Sequence, residues 1–386
     1  MKLSLAADVR DIDTESLFRR LYEVRTLIPV GYEPYFRDRA RYLSTIASAK
    51  VEGNPLGYEE ARVVWSGEAD PVRPEERELT NLWGAYELME QLAADATVRI
   101  DQGLLRAMNS LILEGLPEAM SGRRGQYRTG HSLIEDAETR EIRYRPPPPT
   151  WVPDLMDQLL AHIQRWVAEE SYPPPIIAAL AHAGLVSIHP FEEGNGRTAR
   201  LLADMILHQA GWSAEGMLVL NVVIWRDRDS YYQALRDTHG LDFQTEVDGT
   251  PFAAFHTDAL STAATKLEEF VVAFKGRQDA WRDEFGTRLN ERQTLGLTYI
   301  IDTGSVSSSM YARLIGASPS TAYADLTHMV SCGAAVRSGK GRNTRYAVNP
   351  DLLAQLVAAA ERSGWAERYT RKGRRRDSDG GNGSGP

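Results

Sequence analysis

The chain has 386 residues, 42% of them hydrophobic and 25% charged, which is typical of a soluble globular protein with two or three domains. Its 44 lysine and arginine residues are outnumbered by 53 aspartate and glutamate residues, and this balance argues against a surface that binds nucleic acid or anionic membrane throughout. The single cysteine, Cys332, excludes an intrachain disulfide and a zinc site built on several thiolates.

The sequence also predicts where the protein is found. The N-terminal segment MKLSLAADVRDIDTE has too few consecutive apolar residues for a signal peptide. The longest apolar stretch, IIAALAHAGLVSI, is shorter than the roughly 18 residues that a membrane-spanning helix requires. We therefore expect a cytoplasmic protein that does not contact a membrane.

Helices dominate the chain before residue 288, because apolar residues recur there at the spacing of an amphipathic helix. Helices are predicted at residues 17–28, 35–51, 75–92, 104–113, 151–167, 176–188, 198–210, 230–235 and 252–285. We divide this part of the chain into an N-terminal helical region (1–95), a helical core (96–245) and a long linking helix (246–287). The predicted fold class is mainly α.

One β-hairpin interrupts the helical core. The segment HSLIEDAETREIRY has β-prone arms around Ile134 and Ile142, and the proline run Pro146–Pro149 that follows should be extended. Two strands are marginal by themselves, so we interpret residues 128–149 as a surface flap. The alternative is a surface excursion without a role.

The pattern changes after residue 287. Three short helices and two strands with a basic, glycine-containing turn are predicted over residues 288–350, which is the outline of a winged helix-turn-helix domain. Residues 351–386 are predicted to contain a terminal helix and a disordered tail that is basic and then glycine-rich. The basic run Arg371–Arg376 is interpreted as a solvated segment.

The segment HPFEEGNGRTARLL, which starts at His189, contains the chemically informative residues. Gly194 and Gly196 allow positive φ and close approach, so backbone N–H groups can converge on an anion at the start of the next helix. Arg197 and Arg200 lie in the first turn of that helix, where each cation costs about 0.3–1 kcal/mol against the helix dipole. A polyphosphate would complete such a site.

Two further residues of this segment suggest a reaction at the phosphates. Glu193 precedes the glycines, and a carboxylate beside phosphates is repulsive unless a cation such as Mg²⁺ bridges them. His189 ends the preceding helix, where its imidazole can accept a proton from an attacking hydroxyl. The sequence contains no GxxxxGK[ST] motif, so this is not a Walker A loop.

The pattern HPFxxGNGRxxR resembles the signature of the Fic (filamentation induced by cAMP) family, whose members typically transfer AMP from ATP to a protein hydroxyl. The resemblance implies a Fic-fold core in which His189 is the general base, Glu193 holds Mg²⁺ and Phe191 anchors the loop. The phosphates would then be held by Gly194, Asn195, Gly196 and Arg197. Arg200 would contact the terminal phosphate. The chain differs from the common family pattern at two positions. It has Glu193 where aspartate is commoner, and Ala199 where glycine is often found.

A second motif, ASAKVEGN, resembles the inhibitory motif [ST]xxxE[GN] of Fic proteins and would place the inhibitory residues Ser48 and Glu52 in the N-terminal region. Glu52 ends a helix at Gly53, where its carboxylate faces the negative end of the dipole and requires a cation. Arg200 is the expected partner, and the pair would occupy the place of the γ-phosphate. The alternative is an ordinary exposed glutamate at a helix end.

The resemblance extends to substrate recognition. The flap would clamp a target protein, whose extended segment adds main-chain hydrogen bonds at a strand edge. The segment WRDRDSYYQAL resembles the family stretch that lines the adenine pocket, and Tyr231 or Tyr232 would contact the base. Adjacent helical residues do not share a face, so we expect one of the two tyrosines to contact adenine and the other to lie in the core.

The predicted winged helix has two interpretations. Its third helix carries no lysine or arginine, whereas Arg337, Lys340, Arg342 and Arg345 cluster in the wing. Packing against the catalytic core, or homodimer formation, is favoured over DNA binding.

These patterns together predict a protein adenylyltransferase that uses ATP and Mg²⁺, releases pyrophosphate and is autoinhibited by Glu52. Its acceptor would be a serine, threonine or tyrosine of a target protein or of the chain itself. One alternative is a de-AMPylase or bifunctional enzyme in which Glu52 orients water. Another is a winged-helix transcriptional regulator whose core only senses a nucleotide.

Overall fold

A computed structural model describes residues 1–5, 13–65, 70–135 and 139–354 of the chain, and this part is mainly helical. Its helices are α1 Thr14–Leu27, α2 Glu33–Val51, α3 Tyr58–Trp65, α4 Pro74–Ala93, α5 Gln102–Ile112, α6 Glu118–Ser121, α7 Val152–Ala168, α8 Pro174–Ile188, α9 Asn195–Gln209, α10 Leu220–Arg226, α11 Arg228–His239, α12 Thr250–Phe285, α13 Glu291–Thr303, α14 Ser308–Leu314 and α15 Pro319–Ser331. Its strands are β1 Lys2–Ser4, β2 Ile134–Glu135, β3 Ile142–Tyr144, β4 Glu246–Asp248, β5 Ala335–Ser338 and β6 Arg345–Val348. None of these helices is both long enough and apolar enough to cross a bilayer.

The helices predicted from periodicity are confirmed, with ends that differ by a few residues. Local capping explains several of the observed starts. Asp101 accepts a hydrogen bond from the Leu104 amide at the start of α5, at 2.8 Å. Ser318 caps α15 through the Thr321 amide, at 3.1 Å, and Pro319 occupies the first helical position.

The strands form three two-stranded sheets. The predicted hairpin is confirmed as the antiparallel pair β2–β3, and the proline run after it ends in a short 3₁₀ helix, Pro149–Trp151. Strands β5 and β6 form a second antiparallel pair. The parallel pair β1–β4, in which Leu3 faces Val247, was not predicted, and neither were α3, α6 and α10.

The described residues form two compact units. The first comprises Met1–Thr26 and Phe36–Leu267. Its central helix is α8, which is apolar on nearly every side and buried along almost its whole length. Helices α7 and α9 pack against α8, so the loop between α8 and α9 is held by two buried helices.

The second unit comprises Leu27–Tyr35 and the described residues from Glu268 onward, so α12 contributes to both units. Helices α13–α15 and the hairpin β5–β6 pack around the buried side chains of Leu297, Leu326 and Tyr346. Arg292 donates to the Asp325 carboxylate at 2.7 and 3.0 Å. The predicted helices and strands are present here, and their interpretation as a winged helix stays a prediction. The basic run and the glycine-rich tail lie outside the described residues.

Candidate active site

His189 follows the last residue of α8 and turns the chain into the loop before α9. It adopts a left-handed conformation with φ 50° and ψ 58°, which is uncommon for a residue with a side chain. Pro190 follows and cannot continue the helix. The position of His189 is thus fixed by the end of a buried helix and by an unusual backbone turn.

A buried arginine holds the backbone at this turn. Arg128, 3% exposed, donates from Nε to the carbonyl oxygen of His189 at 2.7 Å. Its Nη1 and Nη2 donate to the carbonyls of Gly130 at 3.1 Å and Pro147 at 2.6 Å. These last two residues stand near the two ends of the flap, so one guanidinium joins the flap to His189.

The loop between His189 and α9 is closed by its own side chains and by α5. The Asn195 side chain accepts from the Phe191 amide and donates to the Phe191 carbonyl, both at 2.9 Å. The buried Asn109 of α5 donates to the Glu193 carbonyl at 2.9 Å. Gly194 has φ +79°, and a Cβ there would lie 3.0 Å from Asn109 Nδ2, so this position favours glycine.

Arg197 and Arg200 lie in the first two turns of α9, and both side chains are buried. The Arg197 side chain, 8% exposed, pairs through Nη1 with Glu78 of α4. Arg200, 1% exposed, donates to the hydroxyl and carbonyl oxygens of Ser48 at 2.9 and 3.0 Å and to the Glu52 carboxylate at 2.7 Å. Two buried donors, Arg197 Nε and Arg200 Nη1, have no acceptor of good geometry among the described residues, although the Arg200 guanidinium lies close enough to the Tyr231 hydroxyl to act on its pKa.

The Glu52 carboxylate is in contact with the first turn of α9. A Cβ on Gly196 would overlap the Glu52 carboxylate, so the absence of a side chain at Gly196 makes room for that carboxylate. Burial opposes ionisation of Glu52, but Arg200 and Arg197 outweigh it, and the pKa of the carboxyl lies below its ordinary value. The sequence motif containing Ser48 and Glu52 is therefore in direct contact with the predicted phosphate site.

The His189 ring is uncharged at neutral pH. Burial lowers its pKa to about 4, and the charge of Arg128 acts in the same direction. The Nδ1 atom is buried without a hydrogen-bond partner of good geometry among the described residues, although the Val186 carbonyl favours its protonation. A neutral imidazole in this position is able to accept a proton.

The Glu193 carboxyl lies near other carboxylates and near Arg197. Desolvation raises the pKa of its carboxyl, repulsion from Glu52 and Glu192 adds to this, and Arg197 opposes it. A cation at Glu193 would relieve the repulsion. The described residues contain no cluster of three or more His, Cys, Asp or Glu side chains suited to a metal, so Mg²⁺ here would need oxygen ligands from phosphates or water.

Tyr231 and Tyr232 differ in their position relative to a cleft between the flap and α11. Tyr232 lines this cleft together with Ile134 and Tyr144 of the flap, and Arg228 stacks on its ring at 5.3 Å. Tyr231 is 2% exposed, and its hydroxyl bonds His182 Nε2 at 3.0 Å within the core. Tyr232 therefore remains the candidate for base contact, and Tyr231 is a core residue.

Four residues that position the site were not singled out from the sequence. They are Asn54, Glu78, Asn109 and Arg128. Glu78 and Asn109 contact the predicted motifs from distant parts of the chain and belong to no recognisable motif. Asn54 and Arg128 lie within predicted segments, the inhibitory motif and the flap, but the sequence indicates no role for them there. The sequence does contain one signal for Glu78. It is a charged residue on the face of α4 that otherwise carries mainly apolar residues, and it is 5% exposed.

Comparison with known proteins finds similarity in the part of the chain that contains the candidate site. Residues 99–207 match the model of the Fic/DOC family. Over 103 residues the chain is 38% identical to the protein adenylyltransferase Fic of Drosophila ananassae and 37% identical to that of Drosophila melanogaster. Each alignment covers 26% of this chain and 18% of the relative, so the chain spans less than a fifth of those proteins.

Solved structures extend the comparison to the fold. A Fic family protein from Desulfovibrio desulfuricans G20 matches with a TM-score of 0.55 and 24% identity, covering 90% of this chain and 97% of the other. A Fic domain-containing signalling protein from Bacteroides thetaiotaomicron matches with a TM-score of 0.57 and 21% identity, covering 67% and 96%. The chain is thus mainly helical and has the fold of these Fic-domain structures, and its residues 99–207 are similar to the Fic/DOC family.

Proposed function

We propose that this protein transfers AMP from ATP to a serine, threonine or tyrosine hydroxyl of a target protein, with release of pyrophosphate. The observation that carries the proposal is the pair of buried arginines beside the glycine loop, Arg197 and Arg200, each of which has a donor without an acceptor of good geometry. Buried charged donors without an acceptor are costly, so an anion belongs there. The names of the Drosophila relatives support the same activity.

His189 acts as the general base. The target hydroxyl attacks the α-phosphorus of ATP, a new P–O bond forms, and the bond to the leaving pyrophosphate breaks on the opposite side. His189 takes the proton of the attacking hydroxyl, since its depressed pKa keeps the ring neutral at pH 7. The amides at the start of α9 and the two arginines hold the phosphates.

Glu193 would hold Mg²⁺, and the metal would supply positive charge to the phosphate oxygens. The target segment would lie along the flap, with its hydroxyl directed at His189. Arg128 fixes the base of the flap to the His189 backbone and so orients both. Tyr232, in the cleft between the flap and α11, is our candidate for adenine contact.

Glu52 restrains the reaction. Its carboxylate occupies Arg200, the side chain that we assign to the terminal phosphate, at 2.7 Å. ATP must therefore displace Glu52 or bind with its phosphates misplaced. Removal of the carboxylate is therefore expected to relieve the inhibition and increase AMP transfer.

The test is a labelling assay with ATP labelled in the α-phosphate, in a lysate and with the purified full chain. Wild type should transfer little label, Glu52→Gly should label protein at least tenfold more strongly, and His189→Ala in the Glu52→Gly background should abolish labelling. Glu114→Gly is a matched control, because Glu114 also follows a helix and its side chain, 61% exposed, pairs with Arg124 at 3.6 Å on the surface. We expect it to behave as wild type.

Two results would contradict the proposal. Equal labelling by Glu52→Gly with and without His189 would remove the assigned base. Release of AMP from a modified protein by wild type, lost in Glu52→Gly, would instead support a de-AMPylase in which Glu52 orients water.

A further inference from the structure

The guanidinium of Arg197 is anchored on one side by a buried carboxylate. Arg197 Nη1 donates to Glu78 Oε1, and the two side chains are 8% and 6% exposed. The other Glu78 oxygen accepts from Asn54 Nδ2 at 2.8 Å. Asn54 also donates to the Glu75 carbonyl at 3.1 Å and accepts from the Leu56 amide at 3.1 Å, so Glu78 has little freedom to move.

Arg197 has a second donor, Nε, that the contact with Glu78 does not use. Its Nε is buried and has no acceptor among the described residues. Because the guanidinium is planar and its donors point in fixed directions, an anchor on Nη1 also sets the direction of Nε. The side chain thus has one N–H group used for orientation and another left for an anion.

We infer that Glu78 is a positioning residue, which holds Arg197 so that its Nε meets a phosphate oxygen of the nucleotide. This inference rests on the proposed function and adds a residue to it. Glu78 and Glu52 then have opposite roles, because Glu52 competes with the nucleotide for Arg200 whereas Glu78 prepares Arg197 for it. Asn54 lies two residues after Glu52, so the inhibitory segment also supports the nucleotide site.

The experiment measures binding, which separates it from the transfer reaction. In the full-length Glu52→Gly protein, calorimetry gives the Kd of ATP with Mg²⁺ and, by competition, that of adenosine, which has no phosphates. Glu78→Ala should weaken ATP binding about tenfold, since a charge-assisted hydrogen bond loses its geometry, and should leave adenosine binding unchanged. Glu78→Gln keeps an acceptor for Arg197 and should restore ATP binding to within about threefold of the parent.

A second substitution tests the inference even if the Glu78→Ala protein does not fold. Asn54→Ala removes one support of Glu78 without leaving a buried charge unpaired, and it should weaken ATP binding about threefold with unchanged adenosine binding. Equal weakening of ATP and adenosine, or ATP binding by Glu78→Ala that is unchanged or tighter, would overturn the inference. Failure of the Glu52→Gly parent to bind ATP would instead contradict the proposed function itself.

Discussion

Arg128 is the residue through which the flap and His189 are held together. Three carbonyl oxygens of these segments receive hydrogen bonds from one buried guanidinium. Arg128→Ala leaves them without a donor and should lower the free energy of unfolding by about 3 kcal/mol or more, with faster amide exchange in the flap. Urea unfolding and hydrogen exchange measure the two effects.

The control for Arg128 is its neighbour Arg123. Arg123 is exposed, and its guanidinium bonds the side chains of Thr129 at 3.1 Å and Gln126 at 2.6 Å. Arg123→Ala should change the unfolding free energy by less than about 0.5 kcal/mol. Equal effects of the two substitutions would show that Arg128 does not have this special role.

At the residue scale, the sequence was informative where function requires several residues close together. The loop after His189 carries its glycines and arginines within a dozen positions, so their shared purpose is visible in the sequence. The Glu52–Arg200 pair was expected because both residues belong to motifs, and the structure contains it. Glu78 pairs with Arg197 and Arg128 bonds His189 across long sequence separations, and no local pattern indicates such contacts.

At the scale of elements, α8 packs closely against α7 at a glycine inside the helix, Gly184. A Cβ on Gly184 would lie 2.6 Å from Leu159 Cδ1 and 3.1 Å from Leu3 Cδ1. Alanine gains about 1 kcal/mol in helix propensity, whereas overpacking costs about 1–3 kcal/mol. Gly184→Ala should therefore lower the unfolding free energy, as measured by urea denaturation.

Gly84 of α4 provides the matched comparison, because a Cβ there meets nothing within 4 Å and its φ is not positive. Gly84→Ala should raise the unfolding free energy by up to about 1 kcal/mol. Opposite signs for the two substitutions are the result that we expect. Stabilisation by both would show that Leu159 moves aside at little cost.

The same elements show what periodicity predicts. Long amphipathic helices such as α5 and α7 bury one face, and that face recurs every three or four residues in the sequence. The short helices α3 and α10 have too few turns for such a pattern. The β1–β4 pair joins residues more than 240 positions apart, and each three-residue strand has only one buried side chain.

At the scale of the whole molecule, the stability of the first unit depends on histidines that must remain neutral. His239 and His256 are 5% and 0% exposed, and neither has a hydrogen-bond partner on its ring nitrogens among the described residues. Burial lowers the pKa of each to about 4, and burial also lowers the pKa of His182. In the unfolded chain the same side chains titrate near the ordinary value of about 6.5.

The consequence is a loss of stability in mild acid. Between pH 6.5 and pH 4 the unfolded chain binds more protons than the folded protein, so the free energy of unfolding falls as the pH is lowered through this window. His239 and His256 should each contribute on the order of 2 kcal/mol of this loss at pH 5. Urea unfolding at pH 7.5, 6.0 and 5.0 measures the slope.

A substitution assigns the slope to these side chains. His256→Leu removes one titrating ring from an environment that already includes Phe252, whose ring centroid lies 5.9 Å from that of His256. The variant should lose less stability than wild type between pH 7.5 and pH 5.0, by on the order of 2 kcal/mol, because its unfolded state gains one proton fewer. An identical pH slope in the two proteins would mean that the acid sensitivity arises elsewhere, in the buried carboxylates. A steeper slope in wild type instead identifies His256 as one of the groups that limit the stability of the first unit in acid.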